Sequence, residues 1–184
     1  GNPFDFSREY NWSDLDVRHM ASGYVLFRAP LGFTITSLFR VRSGFPIDPT
    51  TGEDSAELLS GSIGNRPMER PGLPFLRNSF RNRGFKTVDV RLLKTLLQME
   101  SVRVQFSAEV FNVFNFDNVA FLGPAVLAEN PAFRYGLGIL PNGQMAPVAP
   151  GFLRLRDAAG AYLPGVAGQA GTPFQAQLGI RVLF

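Results

Sequence analysis

The last thirteen residues, 172–184, constrain the fold more than any other stretch because their side chains alternate between apolar and polar. One set of alternate positions is apolar throughout: Phe174, Ala176, Leu178, Ile180, Val182 and Phe184. The other set is mostly polar: Gln175, Gln177, Gly179, Arg181 and Leu183. Successive side chains of a β-strand point to opposite faces, so the stretch predicts a strand with one apolar face. Its length of about 11 residues matches a tilted membrane-spanning strand, and the edge strand of a soluble sandwich shows the same alternation.

The composition of the whole chain excludes several classes of protein. Of its 184 residues 45% are hydrophobic, yet no run approaches the roughly 18 apolar residues of a membrane-spanning helix. The absence of cysteine excludes thiolate metal sites, cysteine nucleophiles and disulfides. A net charge of +3 with scattered arginines does not indicate a nucleic-acid surface.

Five strands are predicted, joined by connections that alternate between short and long. The strands span about 16–28, 33–42, 85–96, 101–114 and 173–184. The turn at 29–32 and the connection at 97–100 are short, whereas 43–84 and 115–172 form long loops. In an antiparallel barrel all short connections then lie on one side, which is typical of outer-membrane proteins with short periplasmic turns and long extracellular loops.

Five strands are too few to close a membrane barrel, since known barrels begin at about eight. An open sheet in lipid would leave two rows of unpaired backbone groups, each at a cost of several kcal/mol. We therefore expect an all-β, antiparallel transmembrane β-barrel fragment whose missing strands lie upstream. The chain begins at Gly1 without methionine or signal peptide, so we expect it to be the carboxyl-terminal part of a longer protein.

Several motifs occur in an order that resembles a known family: 13–19 (SDLDVRH), 29–32 (APLG), 42–46 (RSGFP), 88–94 (VDVRLLK) and 109–118 (EVFNVFNFDN). The chain resembles the carboxyl-terminal barrel strands of TonB-dependent outer-membrane receptors, in particular the Oar-like subgroup with an amino-terminal carboxypeptidase-regulatory-like domain. The resemblance implies a 22-stranded barrel with a plug that imports a bulky ligand across the bacterial outer membrane, energised through TonB. Neither the plug nor the TonB-contacting segment lies within these residues, and nothing in them selects a ligand.

Charged residues on the inward faces of the predicted strands are candidate lumen-lining residues: Asp89, Arg91, Arg103, Glu109 and Arg181. They could line a transport path, or they could pair across neighbouring strands. Since the third and fourth strands are adjacent, Asp89 or Arg91 with Arg103 or Glu109 is a candidate cross-strand ion-pair network.

The end of the last strand is a candidate assembly signal, formed by Ile180, Val182 and Phe184. In the family that the chain resembles, the barrel-assembly machinery reads a terminal strand with a final aromatic residue, in a manner suited to strand pairing at an open edge. Phe184 could equally anchor the strand end at the periplasmic interface, and the two roles are compatible.

No catalytic, cofactor or metal constellation is predicted. His19 is the only histidine, and 61–65 (GSIGN) lacks the Lys-Ser/Thr and the strand–helix context of a phosphate loop. The polar cluster Asn112, Asn115, Asp117 and Asn118 lacks the glycine and glutamate of an EF-hand, so we expect it to satisfy backbone groups in a turn. We expect a non-enzymatic chain. Two other interpretations are a soluble all-β binding domain, for instance for carbohydrate, and a structural or adhesive outer-membrane barrel without transport.

Overall fold

The computed structural model describes residues 6–51, 66–122, 131–136 and 139–184. Its strands in chain order are β1 (Met20–Ala29), β2 (Phe33–Arg42), β3 (Pro46–Ile47), β4 (Met68–Arg70), β5 (Leu73–Pro74), β6 (Phe80–Arg81), β7 (Phe85–Gln98), β8 (Arg103–Phe111), β9 (Val119–Phe121), β10 (Ala167–Gln169) and β11 (Gln175–Leu183). Two short 3-10 turns span Pro30–Gly32 and Pro131–Phe133. The prediction of an all-β antiparallel chain is confirmed.

The chain divides into two compact units. The sheet unit comprises Arg18–Ser43, Gly84–Asn118 and Gln169–Phe184. The packed unit comprises the described residues within Gly1–Val17, Gly44–Arg83 and Val119–Gly168.

The sheet unit is an antiparallel five-stranded sheet in the order β1-β2-β7-β8-β11. Each strand pairs with the next long strand in the chain, and the observed strand ends differ from the predicted ones by up to four residues. Among the described residues β1 and β11 each have one neighbour in this sheet, so it is open at both edges.

The register places the apolar residues of neighbouring strands on one common face. Leu178 of β11 lies opposite Ala108 of β8, and Ala108 lies opposite Leu92 of β7. Leu92 in turn lies opposite Ile35 of β2, which faces Phe27 of β1. Because side chains alternate along each strand, one row of apolar residues therefore crosses all five strands.

The short connection between β1 and β2, Pro30–Gly32, lies at one end of the sheet. Leu31 (φ 61°) and Gly32 (φ 75°) adopt the left-handed conformation that reverses the chain in this turn. The register of β7 shifts between Thr95 and Leu97, which forms a β-bulge near the same end. The sequence pattern does not predict this bulge.

The packed unit has an apolar core, whereas the sequence predicted two irregular loops at 43–84 and 115–172. Its core combines Ile47 of the first long connection with residues of the second, the first of which, Phe121, lies more than 70 residues further along the chain. The buried members are Ile47, Phe121, Ala132, Phe133, Leu155 and Val166. Backbone hydrogen bonds link the two segments directly, from Thr50 N to Phe133 O (2.9 Å) and from Tyr135 N to Thr50 O (2.8 Å). The described parts of the two long connections thus form one structure with its own apolar core.

Gly44, in the 42–46 motif, has no space for a side chain. A Cβ atom built there would lie 1.8 Å from the backbone oxygen of Asn82. The Asn82 N–H also donates a 2.8 Å hydrogen bond to Phe45 O. The glycine therefore allows close backbone approach at the start of the packed unit.

Candidate functional site: the two faces of the sheet

The apolar face of the sheet is exposed rather than buried against a second layer. On β11, Leu178 is 75% and Ile180 is 72% exposed. Further large apolar side chains on the same face are also exposed: Val25, Phe27, Ile35, Phe39, Val41 and Val182. Such a continuous apolar surface is unfavourable in water, and contact with apolar groups would stabilise it.

The opposite face carries a network of charged and amide side chains across β2, β7, β8 and β11. Arg91 Nε lies 2.9 Å from Glu109 Oε1, and Gln177 donates a 2.7 Å hydrogen bond to the other Glu109 oxygen. Arg40 lies 3.3 Å from Asp89. The predicted cross-strand ion pair between β7 and β8 is thus confirmed for Arg91 and Glu109. Arg40 and Gln177 were not predicted as members of this network.

Two other predicted lumen-lining residues share this face but lie outside the network. Arg103 begins β8, and Arg181 lies opposite Gln105, both towards the end with short connections.

Asp89 also accepts hydrogen bonds from the Thr87 hydroxyl (2.9 Å) and the Asn112 backbone N–H (2.9 Å). Asp89 therefore has two roles. It pairs with Arg40, and it binds the backbone of Asn112 at the end of β8.

The asparagines of the 109–118 motif satisfy backbone groups, as the sequence predicted. The Asn112 side chain accepts a hydrogen bond from Phe116 N (2.8 Å) and donates to Phe116 O (2.9 Å) and Thr172 O (3.1 Å). The Asn118 side chain accepts from Lys86 N (3.0 Å) and donates to Lys86 O (2.8 Å). Both side chains are almost fully buried. They replace backbone partners at the sheet end that carries the long connections.

The predicted assembly signal lies on the open edge strand β11. Ile180 and Val182 project from the apolar face, and Phe184 follows the strand fully exposed. The strand pairs with β8 along its whole length from Gln175 to Leu183. This leaves one long edge of β11 available for a further strand.

His19 lies next to the other edge strand. Its backbone accepts a hydrogen bond from Ser43 N (2.8 Å), and its N–H donates to the Ser43 hydroxyl (3.1 Å). An open cavity of about 480 Å³ at this end is lined by Arg18, His19, Met20, Ala21, Val41, Arg42 and Ser43. The backbone pairing therefore joins His19 to Ser43, the residue that follows β2.

Ion pairs join two segments of the packed unit, 8–16 and 66–81. Arg66 binds both Glu9 oxygens (2.9 and 3.0 Å) and also Asp48 (3.2 Å). The further pairs are Arg8–Glu69, Arg77–Asp14 and Arg81–Asp16. The hydrogen bond from Arg66 lowers the pKa of Glu9, against an opposing effect of burial. Burial acts to lower the pKa of Arg66, but Glu9 and Asp48 outweigh it and raise that pKa.

Three further observations bear on function. Among the described residues, no cluster of three or more His, Cys, Asp or Glu side chains could hold a metal ion. Within those same ranges, no helix is long and apolar enough to cross a membrane. The 61–65 segment that was compared with a phosphate loop lies outside the described residues.

Comparison with known proteins finds no matching family model, no matching curated protein and no matching solved structure.

Proposed function

We propose that these residues form five strands of a β-barrel in the bacterial outer membrane, and that the barrel belongs to a TonB-dependent receptor that imports a bulky ligand. The observation that carries the barrel proposal is the exposed apolar face, which crosses five hydrogen-bonded strands while charged side chains occupy the opposite face. Lipid outside and a polar lumen inside match this division of side chains.

The open edges of the sheet support closure by further strands. β1 presents ten residues and β11 presents nine residues along an edge with no partner in the described chain. Unpaired backbone groups are costly in hydrocarbon, so a membrane sheet must close on itself. We propose that additional strands of the same polypeptide pair with β1 and that the barrel closes through β11.

The receptor part of the proposal rests on the sequence motifs at 42–46, 88–94 and 109–118. In the structure, the first places Gly44 against Asn82, the second carries Asp89 and Arg91, and the third supplies Glu109 and the buried asparagines. The polar network would then line a lumen occupied by a plug, and transport would require the plug and TonB. The chain's role is that of a barrel wall and not of an enzyme.

The test is to isolate the native polypeptide that carries these residues from host membranes. We expect a mass several-fold above that of a 184-residue chain, recovery in the outer-membrane fraction, and electrophoretic mobility that changes on heating, as folded barrels show. The periplasmic domain of TonB should capture this polypeptide from detergent extracts. Recovery in a soluble fraction at the mass of the short chain would contradict the barrel. Outer-membrane recovery without TonB capture would contradict transport and favour a structural or adhesive barrel.

A further inference from the structure

Two lysines interrupt the apolar face, and both lie on β7. Lys86 is near the start of the strand and Lys94 is near its end, with Val88, Val90 and Leu92 between them on the same face. In the five-stranded register no other position on this face carries a charge. β7 is also the central strand of the sheet, so neither lysine lies at an open edge.

The two side chains extend in opposite directions, away from the middle of the strand. The Lys94 ammonium lies 4.1 Å from the centre of the Phe33 ring and donates a hydrogen bond to Leu31 O in the short turn. The Lys86 ammonium lies 4.3 Å from the centre of the Phe116 ring, beyond the end of β8. Lysines at the boundary of an apolar layer adopt this arrangement, with the stem on apolar surface and the charge directed to the polar side.

The separation of the lysines matches the height of a lipid-facing band. Eight residues along a strand span about 27 Å. At a strand tilt of about 40° this becomes a height of about 20 Å, and the outward direction of the ammonium groups extends it towards the roughly 25 Å of an outer-membrane apolar band.

We propose that Lys86 and Lys94 bind lipid headgroup phosphates on the two sides of the membrane and thereby set the height of the barrel in the bilayer. This inference rests on the proposed function, because it requires the apolar face to contact lipid. A phosphate is the appropriate ligand because each ammonium group provides a compact positive charge with several donors at the level where lipid phosphates lie. The aromatic rings below the ammonium groups hold them there by cation–π contact.

Single spin labels in the reconstituted full-length polypeptide test the inference without replacing either lysine. The 184 residues contain no cysteine, so thiols can be introduced singly at Val41, Val90 and Phe106 once any cysteines elsewhere in the polypeptide are replaced. Val41 lies opposite Lys86 and Phe106 lies opposite Lys94, while Val90 marks the middle of the strand. The readout is the accessibility of each label to oxygen, which concentrates in lipid, relative to a water-soluble nickel chelate.

We expect the oxygen-to-nickel ratio to be several-fold higher at Val90 than at Val41 and Phe106. The double substitution K86Q/K94Q should raise the ratio at Val41 and Phe106 towards that at Val90, whereas R28Q, at an exposed position on the polar face of β1, should leave all three ratios unchanged. A deep Val90 label with equally deep Val41 and Phe106 labels would overturn the lysine boundary and leave the barrel intact. Unchanged ratios at Val41 and Phe106 in K86Q/K94Q would also overturn the proposal that the two lysines set the boundary. A water-exposed Val90 label would overturn the barrel proposal itself.

Discussion

The packed unit and the sheet unit use the same apolar residue types in opposite ways. In the packed unit Phe133 is fully buried and Ile47 is 1% exposed, whereas in the sheet unit most of the surface of Leu178 is accessible. Burial of apolar surface away from water stabilises the first arrangement, and the second gains stability only from an apolar surrounding. One chain thus contains a region that buries its own apolar side chains and a region that leaves them exposed.

The two units also differ in what their ion pairs connect. In the sheet unit Arg91 and Glu109 pair between adjacent strands that are already joined by backbone hydrogen bonds. In the packed unit Arg66 joins Glu9 to Asp48, which belong to segments with no strand pairing between them. The ion pairs therefore reinforce strands that are already paired in the sheet unit, whereas in the packed unit they link segments that are not paired as strands within the described residues.

The largest expected effect comes from emptying the core of the packed unit. Phe133→Ala should destabilise this unit by about 3–5 kcal/mol, because it removes a fully buried ring and leaves a cavity. The matched control is Phe6→Ala, at a ring that is 69% exposed, which should change stability by less than about 0.5 kcal/mol. Urea titration followed by proteolysis of the packed unit measures both variants. Similar costs for the two substitutions would contradict the assignment of the core.

The next largest effect distinguishes the two faces of the sheet. Val104→Arg on the apolar face should destabilise the reconstituted full-length polypeptide by about 2–4 kcal/mol, because the proposed barrel places that side chain in hydrocarbon. The neighbouring Gln105→Arg should cost far less, because its side chain lies on the polar face and the added charge stays outside hydrocarbon, even though it lies opposite Arg181. Folding titrations in lipid vesicles measure both costs. Equal costs on the two faces would contradict the membrane assignment.

A smaller effect is expected at the asparagines that replace backbone partners. Asn118→Asp keeps the shape but removes the donor to Lys86 O, and it should cost about 1–3 kcal/mol since the site is buried. Asn115→Asp is the control, because exposed Asn115 acts as an acceptor for Phe174 N and a carboxylate retains that function. Hydrogen exchange at the Lys86 and Phe174 amides measures the local effect. Unchanged protection at Lys86 in Asn118→Asp would show that the side chain does not support β7.

The smallest effect concerns the ion pairs of the packed unit and depends on pH. The folded-state pKa of Glu9 is lowered, so its contribution is present above its ordinary pKa of 4.5 and is lost as the pH falls through the lower, folded value. Since Glu9 is partly exposed, we expect less than about 1 kcal/mol. Proteolysis rates measured from pH 6 down to about pH 3 should rise less steeply in Glu9→Gln than in the unmodified protein. Parallel pH profiles for the two proteins would exclude Glu9 as the titrating group.

The five long strands and their faces were predictable because alternation is a local signal. Leu178 and Gln177 reveal their opposite faces within a few residues, and the pairing of Arg91 with Glu109 follows from the adjacency of two successive strands. The bulge at Thr95 was not predictable, because the leucines around it fit either face.

The packed unit was not predictable from the same signal. Its core joins Ile47 with Phe133 across a stretch of chain that includes β7 and β8, and neither residue lies in an alternating segment. Arg66 likewise meets Glu9 and Asp48 only after the chain has folded. Contacts of this kind depend on tertiary packing, which leaves no period in the sequence. The ion pairs of the packed unit have one signal in the sequence: the segment 66–83 is rich in arginine, and the segment 9–16 contains aspartate and glutamate residues that can pair with it.

Contact between the apolar face of the sheet and lipid is the property on which the proposed barrel depends most directly. A fluorescent label sensitive to its surroundings can be attached to single cysteines at Leu178 and Gln177, which are adjacent on β11 and point to opposite faces. The labelled full-length polypeptide is then reconstituted in vesicles whose lipid chains carry bromine quenchers. We predict strong quenching at Leu178 and little quenching at Gln177. Equal quenching at the two positions, or none at Leu178, would contradict contact between the apolar face and lipid.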